Sequence, residues 1–443
     1  MENFSKAEIL QMVEEEDVEF IRLQFTDMFG ALKNIAIPSS QLMRAMDNGY
    51  MIDASSVEGV LRSREMELYL HPDLSTFTIL PWRPQQGKVA RFLCDLYQED
   101  GQPYAESPRS ILKRAVEKAE KMGYTLQMNP ECEFFLFHTD DNGMPTTLTH
   151  EQAGYLDTSP VDLGENARRD IVLTMEEMGY EIVSSHHEIA PAQHEVDFAF
   201  DNLLETADKL MTFKVAVRTI AKRYGLHATF MPKPRVEVNG SGMHLNMRLF
   251  KDGKNILERA DGQRGLSLEG QAFLAGLLDH IQGMTAVMNP LVNSYKRLVP
   301  GFEAPSDVTW SCSQRTALAR VQRGRDCRTQ VELRSPDATA NPYLVFALCL
   351  EAGLDGIVRG CKLPAELTEN IRKLSCEEKE AKGIRSLPEN LGEALKGMKK
   401  DPLVERVLGE KFTRRYIRYK KEEWNCYMEQ ISEWELKEYL YRV

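Results

Sequence analysis

Between Val18 and Ile37 apolar residues recur at strand spacing, with Val18 and Phe20 set against Ile21, Leu23 and Phe25. The pattern breaks at Asp27-Met28-Phe29-Gly30 and returns from Leu32, which predicts a β-hairpin. More strand follows to about Leu96. The polar stretch Gln98-Glu99-Asp100-Gly101-Gln102-Pro103 then predicts a boundary between domains spanning 1–103 and 104–443. A helix is expected next, with Ser107 as N-cap and Pro108 in its first turn. Ile111, Leu112, Ala115, Val116, Ala119 and Met122 share its buried face, and Gly123 ends it. Strand motifs and helices alternate to about residue 360, and the tail from Leu363 reads as mainly helical. Ser386-x-x-Glu389 is expected there as a capping box.

Four strand segments carry chemistry on their polar faces. After the turn Asn239-Gly240-Ser241-Gly242, residues Met243, Leu245 and Met247 fall on one side and His244, Asn246 and Arg248 on the other. Glu131 and Glu133 are two apart and point the same way, on a strand that the following Phe134-Phe135-Leu136-Phe137 marks as buried. The segment His186 to Phe198 adds Glu188 and Glu195 across a turn containing Pro191. In Gln330 to Arg334, Glu332 lies opposite the core-facing Val331 and Leu333. Each segment alone fits an amphipathic strand with its charges in water. Four together point to one charged cavity.

Like charges on buried strands are costly unless a cation lies between them. Five carboxylates around one imidazole carry five negative charges, and two divalent ions offset four of them. Oxygen-rich donors select hard cations such as Mg²⁺ or Mn²⁺. Paired hard ions suit phosphoryl transfer. Arg297, Arg315, Arg320 and Arg334 lie in the same half of the chain and suit capture of carboxylate and phosphate.

Composition narrows the classes further. The 443 residues allow two or three domains, and the net charge of −12 argues against nucleic acid or an acidic membrane as main partner. The N-terminal residues lack an apolar signal core, and the apolar run Tyr343 to Leu350 is too short to span a bilayer. Eight cysteines without a C-x-x-C pair predict reduced thiols and a cytoplasmic location. Neither a Walker A loop nor a G-x-G-x-x-G motif occurs, so an ATP site must use another architecture.

The ordered motifs resemble type I glutamine synthetases of the shorter bacterial kind. They include Phe25-Thr26-Asp27, Asp53-Ala54-Ser55-Ser56, Pro130-Glu131-Cys132-Glu133-Phe134, Gly154-Tyr155, His187-Glu188, His194-Glu195 and Met231-Pro232-Lys233-Pro234. Further on come the Asn239 to His244 turn, Asn293-Ser294-Tyr295-Lys296-Arg297-Leu298, Glu303-Ala304-Pro305 and Asn341-Pro342-Tyr343-Leu344. The resemblance implies an α+β fold: a small N-terminal β-grasp-like domain and a large catalytic domain. The latter's curved antiparallel sheet forms half a barrel surrounded by helices. It implies two stacked hexamers forming a homo-dodecamer, with active sites between subunits, and a nitrogen-control regulator protein as a partner. The substrates implied are L-glutamate, ammonium and ATP.

Residue roles follow from the same resemblance. Glu133, Glu188 and Glu195 would hold the metal nearer glutamate and ammonium; Glu131, His244 and Glu332 would hold the metal that orients the nucleotide phosphates. Arg297, Arg334 and the Gly240 backbone would grip glutamate, Glu303 would sit on a closing flap, and Arg315 and Arg320 would stabilise the transferred phosphoryl group. Asn246 and Arg248 face the nucleotide side, and Asp53 and Ser56 of an adjacent subunit, with Tyr155, would form the ammonium pocket. Arg62 matches a position linked to glutamine feedback.

The chain departs from the family pattern mainly on the nucleotide side. Arg248 replaces a small hydroxyl residue, Gln330 an arginine, Asp307 a tyrosine and Val321-Gln322 an Ile-Pro pair. Ala54, Ala192 and Asn129 stand where glycines are frequent. An ATP-dependent ligase is the favoured reading. The alternatives are a paralogue using another amine and a non-catalytic protein that binds glutamate or glutamine.

Overall fold

The computed structural model describes residues 4–59, 66–83, 86–259, 261, 265–323 and 328–442, so Arg62 lies outside the described residues. The N-terminal part comprises α1 (Lys6–Glu15), β1 (Val18–Thr26), β2 (Leu32–Pro38), α2 (Leu42–Asn48), β3 (Tyr50–Asp53), β4 (Glu67–Pro72), β5 (Thr78–Ile79) and β6 (Lys88–Tyr97). The expected hairpin is present: β1 and β2 run antiparallel from Phe20 opposite Pro38 to Thr26 opposite Leu32. Asp27 closes its turn by accepting the amides of Phe29 and Ala31. β1 also pairs in parallel with β6, giving the sheet order β2-β1-β6-β4-β3, with β5 on β6. Ile9, Ile21, Leu23, Leu42, Leu70 and Phe92 form the core of this β-grasp domain.

In the larger part, α3 (Pro108–Lys121) begins and ends as its sequence predicts. Ser107 occupies the N-cap but makes no side-chain cap bond, and Gly123 takes φ +83° beyond the last turn. Next come β7 (Tyr124–His138), α4 (Glu165–Glu177), β8 (Ile182–His187), β9 (Gln193–Phe198), β10 (Asp201–Asn202), α5 (Leu203–Arg223) and β11 (Leu226–Thr229). They are followed by β12 (Met243–Lys251), β13 (Lys254–Asn255), α6 (Leu268–Met288), β14 (Trp310–Ser311), β15 (Ala319–Arg323), β16 (Thr329–Leu333) and α7 (Pro342–Arg359). The tail holds α8 (Cys376–Ala381), α9 (Leu391–Lys400), α10 (Pro402–Leu408), α11 (Glu410–Met428) and α12 (Glu433–Tyr439).

The central sheet runs β14-β15-β16-β12-β7-β9-β8 and curves into a half-barrel. Met243, Leu245, Met247, Val331, Leu333, Phe134 and Val196 turn one face into the main core, against α5, α6 and α7. Period-two alternation therefore aims the intervening polar residues at the other, concave face.

The capping box expected at Ser386 is not formed. Ser386 instead donates to Asp307, and α9 starts later, with Asn390 accepting the Glu393 amide. Capping boxes do close α8 (Ser375 with Glu378) and α12 (Ser432 with Glu435). Among the described residues no helix is long and apolar enough to cross a membrane, and the seven described cysteines are free.

Candidate active site

Strand register brings the distant carboxylates together. On β7, Glu131 stands opposite His244 of β12 and Asp197 of β9, while Glu133 stands opposite Glu195. Glu332 of β16 stands opposite Asn246 on one side and Arg320 on the other. Glu188 enters from the turn that follows β8. All six expected ligands therefore meet on one stretch of concave surface.

The first group is compact. His244 Nδ1 lies 3.2 Å from Glu131 Oε2 and 3.6 Å from Glu332 Oε1, and the ligand atoms of the three residues lie within 4.8 Å of one another. Asn246 holds Glu131 through a 2.8 Å bond from its amide, and Arg320 donates to Glu332 at 2.7 Å. In the second group, Glu133 accepts from the Gly242 amide and from Gln193, each at 2.9 Å. His186 Nε2 lies 2.9 Å from Glu188 and 3.9 Å from Glu195. His186, Glu195 and Asp197 form a further triad with metal-ligand spacing. Asp197 was not singled out by sequence reasoning, although it shares the parity of Gln193 and Glu195 on one strand.

Burial and mutual repulsion favour the protonated form of Glu131, Glu133 and Glu195. Burial, reinforced by Asp197, pushes Glu131 up to about 7. Burial, reinforced by Glu188, pushes Glu133 up to about 8. Glu195 is raised by burial and by Asp197, Glu133, Glu131 and Glu188. His244 is driven down to about 3 by burial and by Arg334, so it offers a neutral imidazole lone pair. A divalent cation would offset this repulsion, and the donor set fits a hard ion.

The walls come from loops. Gly240 is required by its surroundings, since a Cβ there would lie 2.0 Å from the Pro232 carbonyl oxygen. Its own carbonyl accepts from Gln193 at 3.1 Å. Arg297 is buried and donates to the carbonyls of Ser335 and Arg334 at 2.8 and 3.0 Å. Arg334 spans from Glu332, 3.2 Å away, to the carbonyls of Glu303 and Arg315. The loop bearing exposed Glu303 thus closes one side of the cavity. Exposed Tyr155 sets its ring edge-on to His186, with centroids 5.4 Å apart.

Beside Arg320 lies a second cavity of about 220 Å³, lined also by Gln322, Arg323 and Thr329. Here the departures from the family pattern prove interlocked. Arg248 is buried, lies 3.8 Å from the centre of the Phe200 ring and donates to Gln330 at 3.1 Å. Gln330 and Gln322 in turn both donate to Asn246 Oδ1. Asp307 makes an ion pair with Lys379 at 2.9 Å and accepts from Ser386, so its charge is met outside this cavity. Asp53 and Ser56 are exposed in the N-terminal domain, outside the lining of the carboxylate cavity. Asp53 accepts the Ser55 amide at 2.9 Å.

Comparison with known proteins agrees with this geometry. Residues 17–99 match the family model "Glutamine synthetase, beta-Grasp domain" and residues 105–439 match "Glutamine synthetase, catalytic domain". The chain is 53% identical over 440 residues to glutamine synthetase of Clostridium saccharobutylicum, covering 99% of each chain. It is 48% identical over 438 residues to glutamine synthetase of Staphylococcus aureus, covering 99% of this chain and 98% of the other. Among solved structures, a GmaS/ADP complex superposes with TM-score 0.88 at 30% identity, over 97% of this chain and 99% of that one.

Proposed function

The chain belongs to the glutamine synthetase family, and from that membership we propose how its own residues divide the work of the reaction. It is an ATP-dependent glutamate–ammonia ligase, giving L-glutamine, ADP and phosphate through γ-glutamyl phosphate. The observation that carries the site assignment is the convergence of five carboxylates and one imidazole, from four strands and a turn, with protons forced onto buried carboxyls. Divalent metal is part of the chemistry, and Mg²⁺ or Mn²⁺ at two positions would neutralise phosphate charge and polarise the transferred group.

Glu133, Glu188 and Glu195 hold one ion, and Glu131, His244 and Glu332 the other. Arg297, Arg334 and the Gly240 backbone orient glutamate so that its γ-carboxylate faces the terminal phosphoryl group of ATP. Arg315 and Arg320 neutralise charge on that group as it moves. Asn246 and Arg248 support the nucleotide side. The Glu303 loop excludes water that would hydrolyse the acyl phosphate. Asp53 and Ser56 of a neighbouring copy, with Tyr155, bind ammonium and take its proton, leaving ammonia to attack the acyl carbon and expel phosphate.

A homo-dodecamer of two hexamers, a division of the chain at residues 103 and 104, a cytoplasmic location and a nitrogen-control regulator as partner complete the reading. Phosphate release from ATP with Mg²⁺ and glutamate, measured with and without ammonium, tests the assignment. Strong stimulation by ammonium is expected. Preferred turnover of putrescine or ethanolamine would instead indicate a different amine.

A further inference from the structure

Behind the carboxylate cavity lies a buried network that the reaction does not use directly. Glu188 follows β8 and Glu195 lies on β9. Only the short turn Ile189-Ala190-Pro191-Ala192 and the start of β9 separate them. That turn contains a non-glycine residue, Ala192, at φ +67°, a conformation that needs outside support. Glu151, buried and from a distant loop, supplies it by accepting the Ala192 amide. The same oxygen of Glu151 lies 2.7 Å from His187 Nε2, and its second oxygen accepts the Leu163 amide at 2.8 Å. His187 is fully buried, and its Nδ1 lies 2.6 Å from the backbone carbonyl oxygen of Glu188. The ring thus bridges Glu151 and the Glu188 backbone. Glu151 therefore holds both ends of the turn, through His187 next to Glu188 and through the Ala192 amide three residues before Glu195.

We infer that Glu151 and His187 are positioning residues that set the separation and aim of Glu188 and Glu195 as metal ligands. The inference rests on the assignment of those two glutamates to a metal site. Neither Glu151 nor His187 lines the carboxylate cavity. Their action is indirect, through one carbonyl and one amide of the backbone that carries the ligands. Outer partners of this kind are worth about 10–100-fold in metal affinity.

Glu151→Gln conserves shape but must set an NH₂ group against an N–H donor on one side, either at His187 and Ala192 or at Leu163. Mn²⁺ binding to the full-length protein, followed by electron paramagnetic resonance and calorimetry, reads the effect. Wild type is expected to bind two Mn²⁺ per chain. In Glu151→Gln one of the two should weaken by about 10–100-fold while the other is unchanged, and the variant in EDTA should retain a cooperative thermal transition. The weakened site should be the one that Glu195→Gln also weakens, not the one lost in Glu332→Gln. Should Glu151→Gln not fold, His187→Gln, which removes the ring's bond to the Glu188 carbonyl, is expected to weaken the same ion. Two unchanged Mn²⁺ affinities in a folded variant would overturn the inference. Wild type that binds no Mn²⁺ would instead overturn the metal-site assignment beneath it.

Discussion

Single carboxyls set the energetics of this site. Glu133 is the clearest case, with its proton held to about 8 against an ordinary value of 4.5 by burial and by Glu188. A folded-state value raised in this way leaves stability intact below about pH 4.5 and erodes it as pH climbs towards 8. Metal-free protein should therefore melt at a lower temperature at pH 8 than at pH 6. Mg²⁺, which favours the ionised carboxylates, should restore more at pH 8, about 2.7 kcal/mol when supplied at a hundredfold excess over its dissociation constant. Thermal scans with EDTA and with Mg²⁺ at the two pH values check this; equal metal shifts would count against it. Glu131 and Glu133 were legible because their spacing of two and the following Phe run declare a buried strand. Asp197 carried the same parity signal but followed the conspicuous His194-Glu195 pair. Gln193, which holds Glu133, is an ordinary strand residue until the partner strand is known.

At the scale of elements, the hairpin of β1 and β2 and the bounds of α3 could be read because turn chemistry and periodicity agree there. Ser386 could not. Its capping pattern is locally sound, but buried Asp307 claims its hydroxyl, and Asn390 provides a cap nearer the apolar face of α9. The exchange of Arg248 and Gln330 was visible as two separate oddities. Only the pairing of β12 with β16 makes them partners, linked by a 3.1 Å hydrogen bond across adjacent strands. β12 thus sets a cation, Arg248 stacked on Phe200, directly beside Gln330 of β16. Arg248→Ala should weaken binding of a non-hydrolysable ATP analogue by roughly tenfold or more, the worth of a hydrogen bond to a charged group, with Mn²⁺ binding preserved. Calorimetric titration checks it. An unchanged affinity would mean that Arg248 serves the strand pair alone.

At the scale of the molecule, one chain contains the carboxylate–imidazole cluster and the arginines beside it, while Asp53 and Ser56 stand exposed on the N-terminal domain. That separation supports a site completed between copies. So does the short C-terminal stretch on which Trp434, Leu436, Tyr439, Leu440 and Tyr441 are all exposed. The motif resemblance, not the periodicity, pointed to assembly, because a surface complementary to another copy leaves no local pattern. Asp53→Ala should cut ammonium-dependent glutamine formation by about a hundredfold, the worth of one proton-transfer group. Formation of γ-glutamyl phosphate, trapped with hydroxylamine, should fall much less; equal loss of both would place Asp53 outside the ammonium step. The most direct measurement follows an atom. If the γ-carboxylate attacks the phosphoryl group and ammonia then attacks carbon, one glutamate oxygen must leave with phosphate. L-glutamate carrying ¹⁸O in its γ-carboxyl should, with ATP, Mg²⁺ and ammonium, yield phosphate with one ¹⁸O for each glutamine made. Glutamine formed while the phosphate carries no ¹⁸O would contradict the account.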